Sequence, residues 1–396
     1  MNFNKKKTDL IVITKEPFPM GMGATNRLLS YISEIAKKKS VTVLIAVPTE
    51  LPGMVNNTLA AGVFKNINFK YIHKKTIWPK QSSKLFKAYL IAISFPLLFV
   101  NLRKEKPKTV LLGGNDVKLI IIIWIFSKIL RFNYFQEKSE KPPVLKKKTS
   151  VLKKTLYLSL YKYFDGIIVM TKELADLFNS LGQVNTFHLP MTVDLERFSN
   201  SEKQDRNINK TIFVYCGGGN IERDGLLSMV EAFIDVRESN KNFEFQIIGP
   251  INVDSPYSKR VVELIESKEK TIYIKSLGKK NNDEIPNLLG NSDCLIMTPQ
   301  KDFDSGGFPT KLGEFLATGK PVICTKVSEI PNYLDNNSAI LVEPKNHEEL
   351  RKAILGVIED YKSFIHIGEN GKRVAINCFV AEKYVDSLIH FLLLFR

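Results

Sequence analysis

Cysteine is scarce in this sequence. Only four cysteines occur in 396 residues, and three of them sit inside apolar runs; they are Cys216, Cys294, Cys324 and Cys378. No two are spaced as a pair, which argues against a disulfide framework and a cysteine-rich metal site. This usage fits a reducing, cytoplasmic compartment.

Several short motifs of known chemistry are also missing. The sequence has no GxGxxG turn, no phosphate-binding P-loop and no G-x-S-x-G nucleophile turn. The five histidines are scattered and form no ligand pair; they are His73, His188, His347, His366 and His390. Zinc hydrolases and P-loop nucleotidases are therefore not indicated.

Apolar runs long enough to cross a bilayer are absent as well. Tyr89–Val100 and Leu119–Phe126 are the longest, and a spanning helix needs about 20 residues. We expect either buried helices beside a sheet or a membrane-facing surface. The start, Met1–Lys7, leads straight into a strand-like run at Asp9–Thr14 without a small-residue cleavage site, so no secretory signal is expected.

Acidic residues are few in the first half. Residues 1–200 carry 32 Lys and Arg against 13 Asp and Glu, a net charge of +19. The remainder carries 25 against 28, a net charge of −3, so the whole excess of +16 lies in the first half. This asymmetry predicts an anionic partner for that half, either nucleic acid, an anionic membrane or a phosphate-bearing substrate.

What is present is a regular alternation of strand-like and helix-like segments, in two series. The first includes helices predicted at Lys84–Arg103, Asp116–Arg131 and Val151–Phe164. The second includes a strand predicted at Thr271–Ile274 and a terminal helix at Val380–Leu394. Such alternation indicates parallel sheets covered on both faces, hence two Rossmann-like, doubly wound α/β domains facing a cleft.

The boundary is predicted from a polar, aromatic-free stretch. We assign residues 1–198 to an N-terminal, acceptor-binding domain, 199–210 to a linker and 211–378 to a C-terminal, nucleotide-sugar-binding domain. Residues 379–396 are expected to form a helix that returns to the first domain.

Glycine-rich turns occur at corresponding places in the two series. Gly21-Met22-Gly23 precedes a helix in the first, and Gly217-Gly218-Gly219 precedes one in the second. Free amides at helix starts suit phosphate, and ligands of open α/β sheets bind at the carboxyl ends of the strands. Glycines are common in turns of any kind, so this signal is weak by itself.

The most informative segment is 302–323, DFDSGGFPTKLGEFLATGKPVI. Gly306-Gly307 allows close backbone approach, Phe308-Pro309 stiffens the loop, and Thr310 is placed to cap a helix that starts near Lys311.

Lys311 and Glu314 fall on one face of that helix's first turn. An ammonium and a carboxylate there could grip a pyrophosphate and a ribose diol. A surface ion pair is the alternative on spacing alone.

This segment resembles the nucleotide-sugar site of the retaining, GT-B-fold glycosyltransferases of family 4 (glycosyltransferase group 1), in particular their bacterial polysaccharide type. Further similar motifs follow in order over residues 190–360. They include MTVDLERF at 191–198, YCGGG at 215–219, SLG at 276–278 and the IP…AILVEP stretch at 330–344. The first domain resembles the family mainly through PFPMGMGATNR at 17–27.

The resemblance implies roles for particular residues. Glu314 matches the glutamate that holds the ribose hydroxyls, and Gly307, Phe308 and Pro309 match a loop whose amides meet the diphosphate or donor sugar. Leu277 and Gly278 match the loop beside the base. Gly21 to Gly23 match a first-domain loop that closes on the diphosphate.

Some family residues are missing. The first acid of the family's Glu-x7-Glu pattern falls on Gly306, where Asp304 or Ser305 could substitute, and the usual Arg and Lys fall on Gly219 and Asp224. Other cations must then meet the phosphate charge. The candidates are Lys311, Arg223, Lys279 and Arg27.

A metal is the less favoured way to meet that charge. Asp302-Phe303-Asp304 is a literal DxD, and two carboxylates can hold Mg²⁺ or Mn²⁺. The surrounding pattern resembles a metal-free fold, however. We therefore expect neither metal nor cofactor, with the nucleoside-diphosphate sugar as substrate.

Glu140 is a candidate from the first domain. It lies in the charged run Glu137–Pro142 after a predicted strand, so it could contact acceptor or donor sugar, or it could belong to a solvated charge run. The following Lys146–Lys148, Lys153 and Lys154, with Tyr157, Tyr161 and Tyr163, could sit on an anionic bilayer.

Together these features predict a hexosyltransferase-type enzyme. It would move a sugar from a nucleoside-diphosphate donor to an acceptor hydroxyl, with retention, on a saccharide or lipid-linked acceptor of cell-surface polysaccharide or glycolipid synthesis. We expect it in the cytoplasm or peripheral at the inner membrane face. The alternatives are a GT-B-fold UDP-sugar epimerase, an inactive homologue that binds nucleotide only, and a nucleic-acid-binding protein, which the lack of a basic, aromatic-studded binding module disfavours.

Overall fold

The computed structural model describes residues 7–52, 55–79, 83–146, 149–182, 184–199, 210–218, 220–267, 272–300 and 306–394. They fall into two compact units. Unit 1 comprises Met1–Thr192, Ser305–Gly307 and Ala381–Arg396, and unit 2 comprises Val193–Asp304 and Phe308–Val380. The linker predicted at 199–210 lies almost wholly outside the described residues.

Unit 1 is built on a sheet with strand order β3-β4-β2-β1-β5-β6-β7-β8. All neighbours are parallel except β3 and β4. The strands are β1 (Leu10–Thr14), β2 (Val41–Ile45), β3 (Ala61–Phe64), β4 (Ile67–Tyr71), β5 (Thr109–Gly113), β6 (Asn133–Lys138), β7 (Gly166–Val169) and β8 (Thr186–His188). The central β1 and β2 are buried along their whole length, as expected for parallel strands covered on both faces.

Helices cover both faces of this sheet. They are α1 (Gly23–Ala36), α2 (Lys84–Glu105), α3 (Val117–Leu130), α4 (Pro143–Lys146), α5 (Val151–Leu158) and α6 (Lys172–Ser180). Leu28 and Ile32 of α1 belong to one core cluster. Leu98 of α2 and Ile120 of α3 belong to the cluster on the other side. The inward sides of α1, α2 and α3 therefore pack on the sheet.

Helix α2 is longer and more apolar than the run that suggested it. Ser83 caps it by accepting a hydrogen bond from the Phe86 amide, and it ends at Lys106 in the left-handed region (φ 46°). Its 22 residues are long and apolar enough to cross a membrane by length and composition, although one such helix is weak evidence. The expectation that this run is too short to span was therefore wrong on length.

Unit 2 is a second parallel sheet, with order β11-β10-β9-β12-β13-β14. Its strands are β9 (Thr211–Cys216), β10 (Phe243–Ile248), β11 (Ile274–Gly278), β12 (Cys294–Met297), β13 (Val322–Thr325) and β14 (Ile340–Val342). Its helices are α7 (Leu226–Ser239), α8 (Pro256–Glu266), α9 (Ile285–Gly290), α10 (Thr310–Ala317), α11 (Ile330–Tyr333), α12 (His347–Glu359) and α13 (Ile365–Cys378). Phe233 of α7 stacks on Phe245 of β10 at 4.2 Å between ring centroids, in the centre of the core.

The last helix, α14 (Val385–Leu393), packs in the core of unit 1 through Leu388 and Leu392. It begins five residues later than the predicted terminal helix, because Ala381–Lys383 forms a separate 3-10 turn.

The prediction of two Rossmann-like α/β domains is confirmed. Two local predictions were wrong. The strand expected over 271–274 runs over Ile274–Gly278, and β3 and β8 were not predicted. β3 has only four residues, contains a glycine and lies at the sheet edge with an alternating exposed and half-buried pattern, so it lacks the length and burial of a central strand.

Candidate functional site

The carboxyl ends of three neighbouring strands of unit 2 meet at one edge of its sheet. Ile248 at the end of β10 is in register with Cys216 at the end of β9 and with Gly278 at the end of β11. Neighbouring strands lie roughly 4.8 Å apart, so the three chain ends lie side by side. This is the edge where open α/β sheets bind ligands.

Glycines allow these strand ends to pack tightly. A Cβ on Gly217 would lie 1.9 Å from the Tyr215 hydroxyl, and one on Gly249 would lie 2.0 Å from the Gly217 carbonyl oxygen. Gly249 also has φ +128°, a conformation that side chains rarely adopt. Gly217 and Gly249 therefore have no room for a side chain at this edge.

The prediction that the Gly217 amide donates a hydrogen bond to phosphate needs correction. Its amide donates to the Ile248 carbonyl at 2.8 Å, so that N–H is already engaged within the sheet edge. Gly218 is exposed, and Gly219 lies outside the described residues. Among the described part of this turn, Gly218 is the exposed backbone position.

Lys311 reaches the same edge from the first turn of α10. Its Nζ lies 2.7 Å from Asp224 Oδ2 and 5.6 Å from the centre of the Tyr215 ring. The Tyr215 hydroxyl donates to the same Asp224 oxygen at 2.7 Å. Burial, followed by the Asp224 charge, holds the pKa of Tyr215 well above its usual value, so Tyr215 stays a neutral donor. Lys311 thus pairs with Asp224, the residue at the position where the resemblance expected a lysine.

Glu314, one turn of α10 further on, is held by Arg197. Arg197 Nη1 donates to Glu314 Oε1 at 2.9 Å, and its Nη2 donates to the Asn282 side chain at 3.1 Å. The side chains of Glu314 and Lys311 are 14% and 25% exposed, which argues against the surface ion pair. Arg197 was missed as a site residue, although it stands in the 191–198 motif that carried the resemblance.

The two ion pairs lie around one residue, Cys216. Burial first, and then the Glu314 carboxylate, raise the pKa of the Cys216 thiol to about 12, while Lys311 and Arg197 oppose that rise. The Cys216 thiol at the end of β9 therefore interacts electrostatically with four charged groups, those of Glu314, Lys311, Asp224 and Arg197. Two carboxylates and two cations are thus gathered at this strand end.

The loop before α10 is anchored by an aromatic cluster. Phe308 is buried and packs at 5.6 Å from Tyr333 and 5.5 Å from Phe379, between ring centroids. The N-cap is Pro309, and no side chain among the described residues caps the helix, so the predicted capping role of Thr310 was wrong. Thr310 is instead the first helical residue.

The other predicted residues of this loop divide between the units. Gly306 and Gly307 belong to unit 1, where Thr171 Oγ1 donates to the Gly306 carbonyl at 2.6 Å. Gly306 has φ +66°, in the left-handed region. Asp304 and Ser305, the suggested substitutes for the missing acid, lie outside the described residues together with Asp302 and Phe303.

An open groove of about 570 Å³ adjoins the glycine edge of unit 2. Gly249, Pro250 and Ile251 form one wall, and Ser276, Leu277 and Gly278 form another. The predicted Leu277 and Gly278 therefore do line a cavity, although they end a strand where a loop was expected. Lys279, which follows, is exposed, and the Arg223 side chain is half-buried.

Unit 1 has its own glycine turn at the start of α1. Met22 is the N-cap residue, with an exposed side chain, and no described side chain caps the helix. A Cβ on Gly21 would lie 2.1 Å from Thr25 Oγ1, which itself donates to the Pro17 carbonyl at 2.7 Å. Gly23 is the first helical residue.

The prediction that Arg27 binds phosphate was wrong. Its side chain is 2% exposed, and its Nε donates to Glu137 Oε1 at 2.9 Å. The two remaining nitrogens donate to the carbonyls of Pro190 at 2.7 Å and Leu189 at 2.9 Å. Arg27 therefore ties α1 to the strand-end loops inside unit 1.

Glu140 lies two residues beyond β6 and is half-buried. Next to it in sequence, Lys141 pairs with Glu173, and nearby Lys138 donates to the neutral Asn115 side chain. Within the described ranges no group of three or more His, Cys, Asp and Glu side chains could hold a metal ion.

Comparison with known proteins places this geometry in a family context. Residues 196–374 match the family model described as Glycosyl transferases group 1. An uncharacterized glycosyltransferase from Methanocaldococcus jannaschii is 26% identical over 157 residues, 39% of this chain and 41% of that protein. The amylovoran biosynthesis glycosyltransferase of Erwinia amylovora is 26% identical over 136 residues, 34% of this chain and 32% of that protein.

These sequence matches are partial, since the chain aligns with about one third to two fifths of each relative's length. The structural match spans the whole chain. HepE from Anabaena, solved in complex with UDP and glucose, superposes with a TM-score of 0.70 at 15% identity, over 97% of this chain and 99% of that one. The GT-B fold prediction is thereby confirmed, and the group 1 glycosyltransferase family is supported by both the family model and the relatives.

Proposed function

We propose that this protein is a glycosyltransferase that transfers a sugar from a nucleoside-diphosphate donor to an acceptor hydroxyl, with retention at the sugar carbon. The observation that carries the proposal is the edge of unit 2's sheet. There a groove with glycines in its lining lies at the same sheet edge as two ion pairs, Lys311 with Asp224 and Glu314 with Arg197. The match of residues 196–374 to group 1 transferases supports the same reading.

The donor would lie along this edge. Its base enters the groove lined by Pro250, Ile251 and Leu277, beside the strand ends at Gly249 and Gly278, whose backbone can approach a flat ring closely. The ribose hydroxyls donate to Glu314, which Arg197 holds in place at 2.9 Å. The diphosphate then lies near Lys311, at the strand end where Gly218 exposes backbone. This order follows the register of β11, β10 and β9.

The proposed catalysis is electrostatic. As the bond between the sugar carbon and the diphosphate oxygen breaks, negative charge grows on the leaving phosphate. Protein cations stabilise that charge. Lys311 is the candidate at this strand end; it would turn from Asp224 to a phosphate oxygen, while the Tyr215 hydroxyl still donates to Asp224. The leaving phosphate can itself accept the acceptor's proton, so no separate base is required.

The proposal uses protein cations where other transferases use a metal ion, so activity should survive metal chelation. The acceptor class remains a saccharide or a lipid-linked saccharide. The amylovoran biosynthesis transferase among the relatives supports a role in polysaccharide synthesis.

The test is a panel of nucleotide sugars offered with and without chelator, with mass spectrometry of the products. We expect one donor to be consumed, slowly by hydrolysis when no acceptor is present, and faster with a saccharide acceptor. An NMR spectrum of the product should show the donor's anomeric configuration. Binding of no nucleoside diphosphate by the folded protein would contradict the proposal. An inverted product would contradict retention alone.

A further inference from the structure

The outward face of three helices of unit 1 is apolar. On α3, Val117, Ile121, Ile125 and Ile129 recur at every fourth position, and each is between 37% and 60% exposed. A helix turns once in about 3.6 residues, so these four form one stripe. Leu85, Tyr89 and Val100 of α2 and Val151, Leu152 and Leu156 of α5 are exposed large apolar side chains as well. Together these ten residues define what we call the apolar face.

This face is additional to the core. The inward sides of the same helices already pack on the sheet, through Leu98 and Leu102 of α2 and Ile120 and Ile123 of α3. Phe99 of α2 meets Phe126 of α3 edge-on at 4.9 Å, so the two helices form one continuous surface. A monomer rarely exposes so large a contiguous patch unless something binds it.

Polar ties hold α2 along the sheet. In the middle of the helix, Ser94 Oγ donates to the Ala46 carbonyl at 2.8 Å and contacts His73 Nε2 at 2.8 Å. Near its end, the Asn101 side chain accepts from Lys70 Nζ at 2.8 Å. A helix that crossed a bilayer would lose these partners. The structure therefore favours a helix that lies flat on a membrane over one that spans it, despite the length of α2.

Basic residues surround the apolar face. Helix α2 carries Lys84, Lys87, Arg103 and Lys104; α3 carries Lys118 and Lys128; and α5 carries Lys153 and Lys154. Against these cations the three helices carry one acid, Glu105, which accepts a hydrogen bond from Thr8. An apolar stripe flanked by lysines, with almost no acid, is the pattern of a helix that rests on anionic lipid.

We propose that the apolar face of α2, α3 and α5 docks on an anionic lipid bilayer. The apolar stripe enters the headgroup and upper acyl region, and the lysines meet lipid phosphates. The aromatic residues first suggested for this role do not take part as expected. Tyr161 is 1% exposed, and Tyr163 stacks on Trp124 at 4.4 Å. Lys147 and Lys148 lie outside the described residues.

The face reaches the ligand edge of unit 1's sheet. Helix α3 starts at Val117, four residues after β5 ends at Gly113, and the Tyr157 hydroxyl of α5 donates to the Asn115 carbonyl at 3.2 Å. A bilayer on this face would thus lie next to the strand ends where an acceptor is expected. If the proposed function holds, the acceptor is a lipid-borne saccharide. The docking itself does not depend on that function.

Vesicle flotation with the full-length protein tests the docking. The vesicles contain equal parts phosphatidylglycerol and phosphatidylcholine, with pure phosphatidylcholine as the comparison. We expect strong binding to the first and about ten-fold weaker binding to the second. Ile125→Ser with Ile129→Ser should lower the partition coefficient by about ten-fold or more. Lys128→Glu with Lys153→Glu should lower it by roughly five-fold for each lysine.

Matched controls come from the same unit. Leu59 and Val63 are 66% and 68% exposed, outside the apolar face, so Leu59→Ser with Val63→Ser should leave the partition coefficient unchanged. Lys39→Glu, an exposed site after α1, is the charge control. Melting curves and nucleoside diphosphate affinity, which depends on unit 2, show whether each variant is folded.

Each other outcome overturns the proposal. Equal binding to both vesicle types would show that anionic lipid is not recognised. No vesicle binding, with a dimer in sedimentation velocity that Ile125→Ser and Ile129→Ser dissolve, would show that the face meets a second copy. Equal loss in the control variants would show that flotation does not report this surface.

Discussion

The two units use charge in opposite ways. At the ligand edge of unit 2, Lys311 faces Asp224 and Arg197 faces Glu314, so cations and anions are matched in pairs. On the outer helices of unit 1, eight basic residues are set against one acidic residue. Paired charges in partly buried places hold geometry, whereas unmatched surface charges attract a distant partner. The three outer helices therefore carry a net charge of +7, more than a third of the +19 on residues 1–200, and they belong to unit 1, whereas the ligand edge with its paired charges belongs to unit 2.

The largest expected effect concerns the packed glycine edge of unit 2. Gly249→Ala places a Cβ 2.0 Å from a backbone oxygen at φ +128°, so we expect a loss of about 3 kcal/mol or more in the free energy of unfolding. Denaturant unfolding monitored by circular dichroism measures it. Gly356→Ala, in α12 with its nearest neighbour at 3.4 Å, is the matched control and should be neutral or slightly stabilising. Similar stability of the two variants would contradict the tight edge.

The second expected effect concerns the stability of the interior of unit 1. Arg27→Met leaves Glu137 and two buried carbonyls without their cation, which should cost about 3 kcal/mol. Because Arg27 serves the interior of unit 1, nucleoside diphosphate affinity should change less than about two-fold. Isothermal titration calorimetry measures the nucleoside diphosphate affinity, and a melting curve measures the stability. A large affinity loss with normal stability would restore Arg27 as a phosphate ligand.

The third effect is on binding in unit 2. In the proposed donor site, Glu314→Ala removes the carboxylate that would accept the ribose hydroxyls, and hydrogen bonds to charged groups contribute about 1.5–3 kcal/mol. We expect the Kd for UDP or the corresponding diphosphate to rise about 10- to 100-fold. Glu348→Ala, which removes an exposed partner of Arg351 on α12, is the control and should bind normally. Normal binding by Glu314→Ala would move the ribose site elsewhere.

The smallest effect reports the environment at the end of β9. The pKa of the Cys216 thiol is raised to about 12, so at pH 9 only about one thiol in a thousand is ionised and alkylation should be slow. In the unfolded chain this thiol ionises near its ordinary value, so stability falls as pH rises from about 9 towards 12. Peptide mapping after iodoacetamide treatment measures the rate. Fast labelling of Cys216 in the folded protein would contradict the raised pKa of its thiol.

Much of this could be predicted from the sequence, for a physical reason. Repeated apolar runs of strand length predict a parallel sheet. In the loop at 306–310, Gly306-Gly307 indicates a permissive backbone and Phe308-Pro309 a stiff one. Partners across long sequence separations could not be predicted. Arg197 pairs with Glu314, 117 residues away in the sequence, and Arg27 donates to Pro190, 163 residues away. Only the folded chain therefore shows which cations are engaged in the interior and which reach a ligand edge.

The same limit explains why the sequence left two interpretations of the apolar runs open, buried helices beside a sheet or a membrane-facing surface. Val117–Leu130 is apolar almost all round, so its periodicity could not separate core from surface. In the fold, Ile120 and Ile123 turn inward while Ile121 and Ile125 turn outward. The buried reading thus holds for the inward side of the helix, and the outward side carries the exposed apolar residues from which membrane docking is proposed.

The most direct test is the structure of a complex with UDP or the diphosphate of whichever donor proves active. The account predicts the base in the groove lined by Pro250, Ile251 and Leu277, the ribose hydroxyls on Glu314 and the diphosphate beside Lys311. A nucleotide bound elsewhere on unit 2, or only on unit 1, would contradict it.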